Sequence, residues 1–156
     1  MRKDLRPFNN RSLFFGKAIS NHCSVRCKVG NFNELLPRDK FDFERINKIK
    51  LMRNEDVIPL LPGLLEWIQD MNWPIASGVV EVLSAYSQEI VPHLKRVFLT
   101  KDAVWKYWCL EYIVKDLPAY EKKLLSDDLI RMSETPTRDE QLEEVDQSAS
   151  EILSSM

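Results

Sequence analysis

Six residues of this chain recur at a fixed distance, and that recurrence limits the possible folds more than any other feature. Asp56-Val57-Ile58-Pro59-Leu60-Leu61 overlies Glu89-Ile90-Val91-Pro92-His93-Leu94 at an offset of 33. Acid, aliphatic, aliphatic, proline and a final leucine stay in register. Leu64-Leu65 then falls on Val97-Phe98. With one residue dropped in the turn, Asp70 falls on Asp102 and Trp73 on Trp105. A degenerate period of about 30–33 residues without strand patterning belongs to stacked helix pairs. Composition agrees: glycine is scarce, with 4 residues, and β-branched residues do not alternate. The hydrophobic content of 44% in 156 residues suffices for one core, and no apolar run reaches the roughly 18–20 residues of a membrane span.

The helices follow from periodicity and caps. Asp39 is expected to cap a helix running to about Met52, with Phe43, Ile46 and Ile49 on its inner face. Asn54 opens the next, whose apolar stripe runs from Val57 to Met71; Pro59 and Pro62 should kink or divide it. Asn72 reads as an N-cap, with Pro74 in the first turn. The helix that follows buries Ile75, Ala76, Gly78, Val79, Val82, Leu83 and Tyr86, and wets Ser77, Glu81 and Ser84. Helix 103–116 is apolar almost all round, so it is expected to be covered on both sides. A third unit pairs Tyr120–Ser133 with about 138–154, where Thr137 and Glu140 form a capping box and Leu142, Val145, Ala149, Ile152 and Leu153 make one stripe. The fold class expected is all-α, a short α-solenoid of about six to seven helices in HEAT-like pairs.

Charge divides the chain. Residues 1–31 hold seven of the 22 Lys/Arg and one acid, Asp4, a net of +6; the remainder holds 15 basic and 23 acidic residues, a net of -8. Residues 1–31 also lack periodicity. They read as a poorly ordered basic tail, or as sequence upstream of the true start, with the helical domain over 32–156. Leu13-Phe14-Phe15 is too short for a secretory core. His22, Cys23 and Cys27 offer three ligands, but the Cys-x3-Cys spacing lacks the second close pair that structural zinc uses, so no metal and no cofactor is expected. Three cysteines are too few for a disulfide framework, which points to a reducing, cytoplasmic location.

Three stretches carry a family resemblance: Glu34-Leu35-Leu36-Pro37 with Asp39-Lys40, Leu64-Leu65-Glu66-Trp67-Ile68-Gln69-Asp70-Met71-Asn72-Trp73-Pro74, and Val104-Trp105-Lys106-Tyr107-Trp108. On them, residues 33–153 resemble a small, mostly bacterial family catalogued as a domain of unknown function. The helix pairs resemble HEAT-type repeats. The resemblance implies a compact helical domain and brings no catalytic residue with it.

No catalytic constellation stands out. Asp70 and Asp102 read as turn and cap residues, His93 as a partly buried neutral histidine, and Trp67, Trp73, Trp105 and Trp108 as core. The function expected is non-enzymatic: a protein-binding helical-repeat module, in its sharpest form immunity- or antitoxin-like. The alternatives are a small-molecule binder or enzyme with a pocket near the tryptophans, and a HEAT-like nucleic-acid enzyme, which the acidic remainder disfavours. Second helices line the inner surface of stacked pairs. The expected partner surface is therefore Ser77, Glu81, Ser84, Lys106, Glu111, Lys115, Glu140 and Glu144, with Lys106, Glu111 and Lys115 as a solvated edge. Its partner would be a basic protein, with no nucleic acid and no membrane.

Deleting residues 1–31 is expected to leave the fold intact. The thermal midpoint should move by less than about 5 °C, which corresponds to roughly 1 kcal/mol for a domain of this size. A larger drop would show that the segment packs on the helices.

Overall fold

A computed structural model of the chain describes residues 34–156. The expectations for residues 1–31, the tail and the His22, Cys23 and Cys27 ligand set, lie outside the described residues. Every regular element among the described residues is a helix. The order is α1 (Phe43–Lys50), α2 (Asn54–Val57), α3 (Leu61–Leu65), α4 (Ala76–Ser84), α5 (Ser87–Phe98), α6 (Ala103–Tyr112), α7 (Ala119–Leu124), α8 (Ser126–Glu134), α9 (Arg138–Leu142) and α10 (Val145–Ser154). Short 3-10 turns at Ile58–Leu60, Glu66–Ile68 and Val114–Asp116 join or extend them.

The segmentation is finer than the sequence suggested. Pro59 sits in the first turn of the 3-10 segment and Pro62 in that of α3, so each proline starts a new helical piece where its missing N–H costs nothing. In α5 a single Pro92 is tolerated inside one continuous helix, with its ring facing solvent. The expected helix 120–133 breaks at buried Leu125. The expected helix 138–154 breaks at Glu143-Glu144, where Glu144 adopts the left-handed conformation at φ 58°. That conformation costs a non-glycine residue about 1 kcal/mol.

Caps move by a few residues. Asp42, not Asp39, caps α1 by accepting from the Arg45 amide at 3.3 Å, while Asp39 closes a turn by accepting from the Phe41 amide at 2.8 Å. Helix α1 therefore starts late, and Phe43 is 49% exposed rather than buried. Asn72 is not a cap: Asp70 accepts from its amide and from its side chain, each at 2.9 Å, and α4 begins only at Ala76. Asp102 does cap α6, accepting from the Trp105 amide at 2.9 Å.

Helix α4 packs on α1 and α3, α5 on α3, α4, α6 and α7, and α10 on α6 and α8. Leu60, Leu61, Leu64, Leu83, Ile90, Leu94, Leu110 and Ile113 are among the side chains fully enclosed between them. The lead-in docks where Gly63 leaves room; a Cβ there would collide with the Leu36 side chain. The tryptophans are half-buried rather than core. Trp67 and Trp73 meet edge to face at 5.5 Å. Trp105 packs against the core and donates its indole N–H to the Leu65 carbonyl at 3.0 Å, which joins the end of α3 to the start of α6. Helix α6 is covered less than expected, since Val104 and Tyr112 are exposed.

Trp105→Ala should cost about 3 kcal/mol through lost packing and an abandoned carbonyl, and Trp105→Phe about 1 kcal/mol through the carbonyl alone. Urea unfolding measures both. A phenylalanine variant as stable as the parent would remove the indole bond from the account of the fold.

Candidate functional site

The site is built on one carboxylate. Thr137 opens α9, and its hydroxyl accepts from the Glu140 amide at 3.2 Å while the Glu140 carboxylate accepts from the Thr137 amide at 2.8 Å. This reciprocal cap is the one expected from the sequence. It also aims Glu140 inward. There the carboxylate accepts from Lys106 Nζ of α6 at 2.7 Å and from both guanidinium nitrogens of Arg131 of α8, at 2.7 and 2.8 Å. Lys106 is 4% exposed and Glu140 1%. Both were expected on a solvated surface, and the structure corrects that: they are an internal ion pair locking α9 to α6 and α8. Burial opposes the charged form of Glu140, but the bonds from Arg131, Lys106 and the Thr137 amide outweigh it and hold the carboxyl at about 2.

Above this lock, α6 and the α9–α10 break enclose a two-part groove. One part, about 250 Å³, is lined by Val104, Tyr107, Trp108, Leu142, Glu143 and Glu144. The other, about 220 Å³, is lined by Tyr107, Glu111, Lys115, Glu144, Gln147, Ser148 and Glu151. Tyr107 and Glu144 line both, so the two parts adjoin one another. Tyr107 and Trp108 meet at 4.9 Å with an interplanar angle of 64°, and Trp108 lies 5.7 Å from Tyr112. In the polar part Lys115 bonds Glu111 at 2.7 Å and Glu151 at 3.1 Å, and Ser148 donates to Glu111 at 2.6 Å. Burial opposes the Glu111 charge, but Lys115 and Ser148 lower its pKa all the same, and the bond to Glu111 raises that of Lys115. Burial, then the negative charges of Glu111 and Glu144, raise the pKa of the Tyr107 phenol. Such a groove can bind cations and apolar surface.

Of the residues expected to form one surface, Glu111, Lys115 and Glu144 come together here. Ser77 and Glu81 lie exposed on α4, where Glu81 pairs with Lys50 of α1. Ser84 lines a separate depression with Ser87 and Pro118. Sequence reasoning missed Tyr107 and Trp108 as groove walls and placed Leu142 in the buried stripe, whereas Leu142 is 68% exposed. No glycine or asparagine marked the left-handed break that turns Leu142 outward. Glu143 and Ser148 carried no signal of their own.

His93 is half-buried; burial and then Arg96 lower its pKa, so it stays neutral near pH 7. Cys109 is a free, buried cysteine whose thiol burial pushes up. No group of three or more metal-ligating side chains is present among the described residues, and no helix among them is long and apolar enough to cross a membrane. Two further depressions lie near tryptophans. One, about 370 Å³, has Leu36, Glu66, Trp67, Gln69 and Trp73 in its walls; the other, about 160 Å³, has Glu66, His93, Arg96 and Trp105.

Fold and groove together define a small all-helical domain with an acidic, aromatic-walled cleft. The model of a domain of unknown function (DUF5071) matches residues 35–153, and the chain belongs to that family. No curated protein matches the chain.

Removing Glu140 would leave Lys106 buried without its partner, so Glu140→Ala should cost about 3–5 kcal/mol. Lys106→Met should cost no more than about 2 kcal/mol, because Arg131 and Thr137 still satisfy the carboxylate. The pH dependence has a definite sign. The folded pKa of Glu140, about 2, lies below its ordinary 4.5, so its contribution is complete above about pH 4.5 and is lost as pH falls toward 2. Denaturant unfolding across that range should show wild-type stability falling, and a flatter profile in Glu140→Gln. Parallel profiles would mean that Glu140 is not the titrating group.

Proposed function

We propose that the chain is a non-enzymatic protein-binding module, a short HEAT-like solenoid in which α6 and α10 present an acidic face to a basic partner protein. The order of packing supports the solenoid reading. Each first helix meets the next along α3, α5 and α7, and the second helices α6 and α10 lie side by side. The observation that carries the binding reading is the charge of the α6–α10 groove, where Glu111, Glu143, Glu144 and Glu151 face one lysine, Lys115. Complementary charge would speed encounter and make it salt-sensitive, and the same field disfavours nucleic acid. An immunity- or antitoxin-like role, masking a basic toxin surface, is the sharpest form of this reading. The free Cys109 thiol fits a reducing, cytoplasmic setting.

A second reading has its own observation. The depression of about 370 Å³ beside Trp67 and Trp73 is of ligand size, which favours a small-molecule binder.

The test compares the whole chain with a Glu143→Lys/Glu144→Lys double variant of unchanged thermal midpoint. Each is immobilised and challenged with native-cell proteins, DNA and RNA at low and physiological salt. The expected result is salt-sensitive capture of a discrete basic protein that the variant loses. Capture indifferent to the reversal, or tighter binding of nucleic acid than of protein, would overturn the reading.

A further inference from the structure

The groove is not uniform, and its two parts differ in what they leave unsatisfied. In the polar part Lys115 already neutralises Glu111 and Glu151. In the aromatic part no cation among the described residues pairs with Glu143 or Glu144. The same part has a 68% exposed leucine, Leu142, and a 39% exposed valine, Val104, beside the Tyr107 and Trp108 rings. Both ring-bearing residues are only half-buried and line this part of the groove, where they meet edge to face.

Each candidate occupant meets a different one of these walls. A purely apolar side chain would cover Leu142 and Val104 but strip water from two carboxylates without replacing it. An anion would be repelled by both. A bare metal ion would find two carboxylates, short of the ligand set it needs, and would leave the aliphatic rim uncovered. A long basic side chain satisfies all of them: its charge meets the carboxylates and the ring faces, and its methylene stem lies along the aliphatic rim.

We propose that the Tyr107–Trp108 end of the groove is an anchor pocket for a single arginine or lysine side chain, presented beside an aliphatic residue on a segment of the partner protein. This rests on the protein-binding reading above and specifies what that reading recognises. Tyr107 and Trp108 supply the ring faces, Glu143 and Glu144 the counter-charge, and Leu142 and Val104 the seat for the neighbouring aliphatic group. The lock below keeps the pocket open, since Glu140 fixes α9 three residues before Glu143.

The test is a titration of the isotopically labelled full chain, followed through the Trp108 indole resonance. The probes are three acetylated, amidated tetrapeptides with a leucine beside an arginine, a citrulline or a glutamate. Citrulline keeps the shape of arginine and removes the charge. The arginine peptide should give a saturable shift at Trp108 and Tyr107 and bind roughly tenfold more tightly than the citrulline peptide. Glu143→Gln/Glu144→Gln should abolish most of that preference without moving the thermal midpoint, so the outcome does not depend on a Trp108→Ala variant that folds.

Equal affinity for arginine and citrulline would overturn the proposal. So would a shift centred on Trp67 and Trp73, or no saturation at all. A Trp108 signal that moves when residues 1–31 are deleted, in the absence of peptide, would assign the pocket to the chain's own basic segment instead, and would also overturn it. Salt-sensitive protein capture that persists while the arginine peptide fails to bind would leave the broader reading standing and remove only the anchor pocket.

Discussion

The buried Glu140 carboxylate is the interaction on which the C-terminal half of the domain depends. It accepts from α6 through Lys106, from α8 through Arg131, and from its own helix start through the Thr137 amide. The adjoining α8 and α9 are thereby held at hydrogen-bond distance from α6, whose lysine lies 34 residues away in sequence. An internal ion pair of this kind is weak evidence for net stability, because removing two charges from water costs about what their attraction returns. Its consequence is geometrical. Apolar contacts between α6 and α9 could slide by a fraction of a turn; a carboxylate gripped by a lysine and a bidentate arginine cannot without stranding a charge.

That fixed geometry explains why the chain can end α9 so abruptly. Glu144 takes a left-handed conformation that a non-glycine residue avoids, at a cost of about 1 kcal/mol. The turn redirects the chain so that α10 packs along α8 and α6, and it leaves Leu142, Glu143 and Glu144 facing outward over Tyr107 and Trp108. The lock and the strained turn belong to one construction. The first holds α9 in place, and the second displays its last residues.

Much of the architecture was legible in the residues. The helical class, the division by Pro59 and Pro62, the buried stripe of α4, the Asp102 cap and the Thr137–Glu140 box all follow from local rules, and local rules need only neighbouring residues. The failures share a cause. Asp39 and Asp42 satisfy the same capping rule three residues apart, and it is Asp42 whose carboxylate also meets Arg38 and Arg45. Lys106 looked like a solvated edge because its partner lies 34 residues away and its burial is a property of the assembled helices. Glu144 carries no composition signal for its backbone conformation; the packing of α10 imposes it. The candidate site therefore emerged where tertiary contacts override local preference, and the expected inner surface divided into a lock, a groove and a separate wet face on α4.

The indole bond from Trp105 to Leu65 couples two distant parts of the chain. Helix α3 has five residues, preceded and followed by 3-10 turns, and a segment so short has no stable existence alone in water. Its terminal carbonyl accepts from an indole in the first turn of α6, a turn held by the Asp102 cap. The end of α3 and the start of α6, forty residues apart in sequence, are therefore stabilised together, and a change that loosens the Asp102 cap also reaches the Leu65 carbonyl.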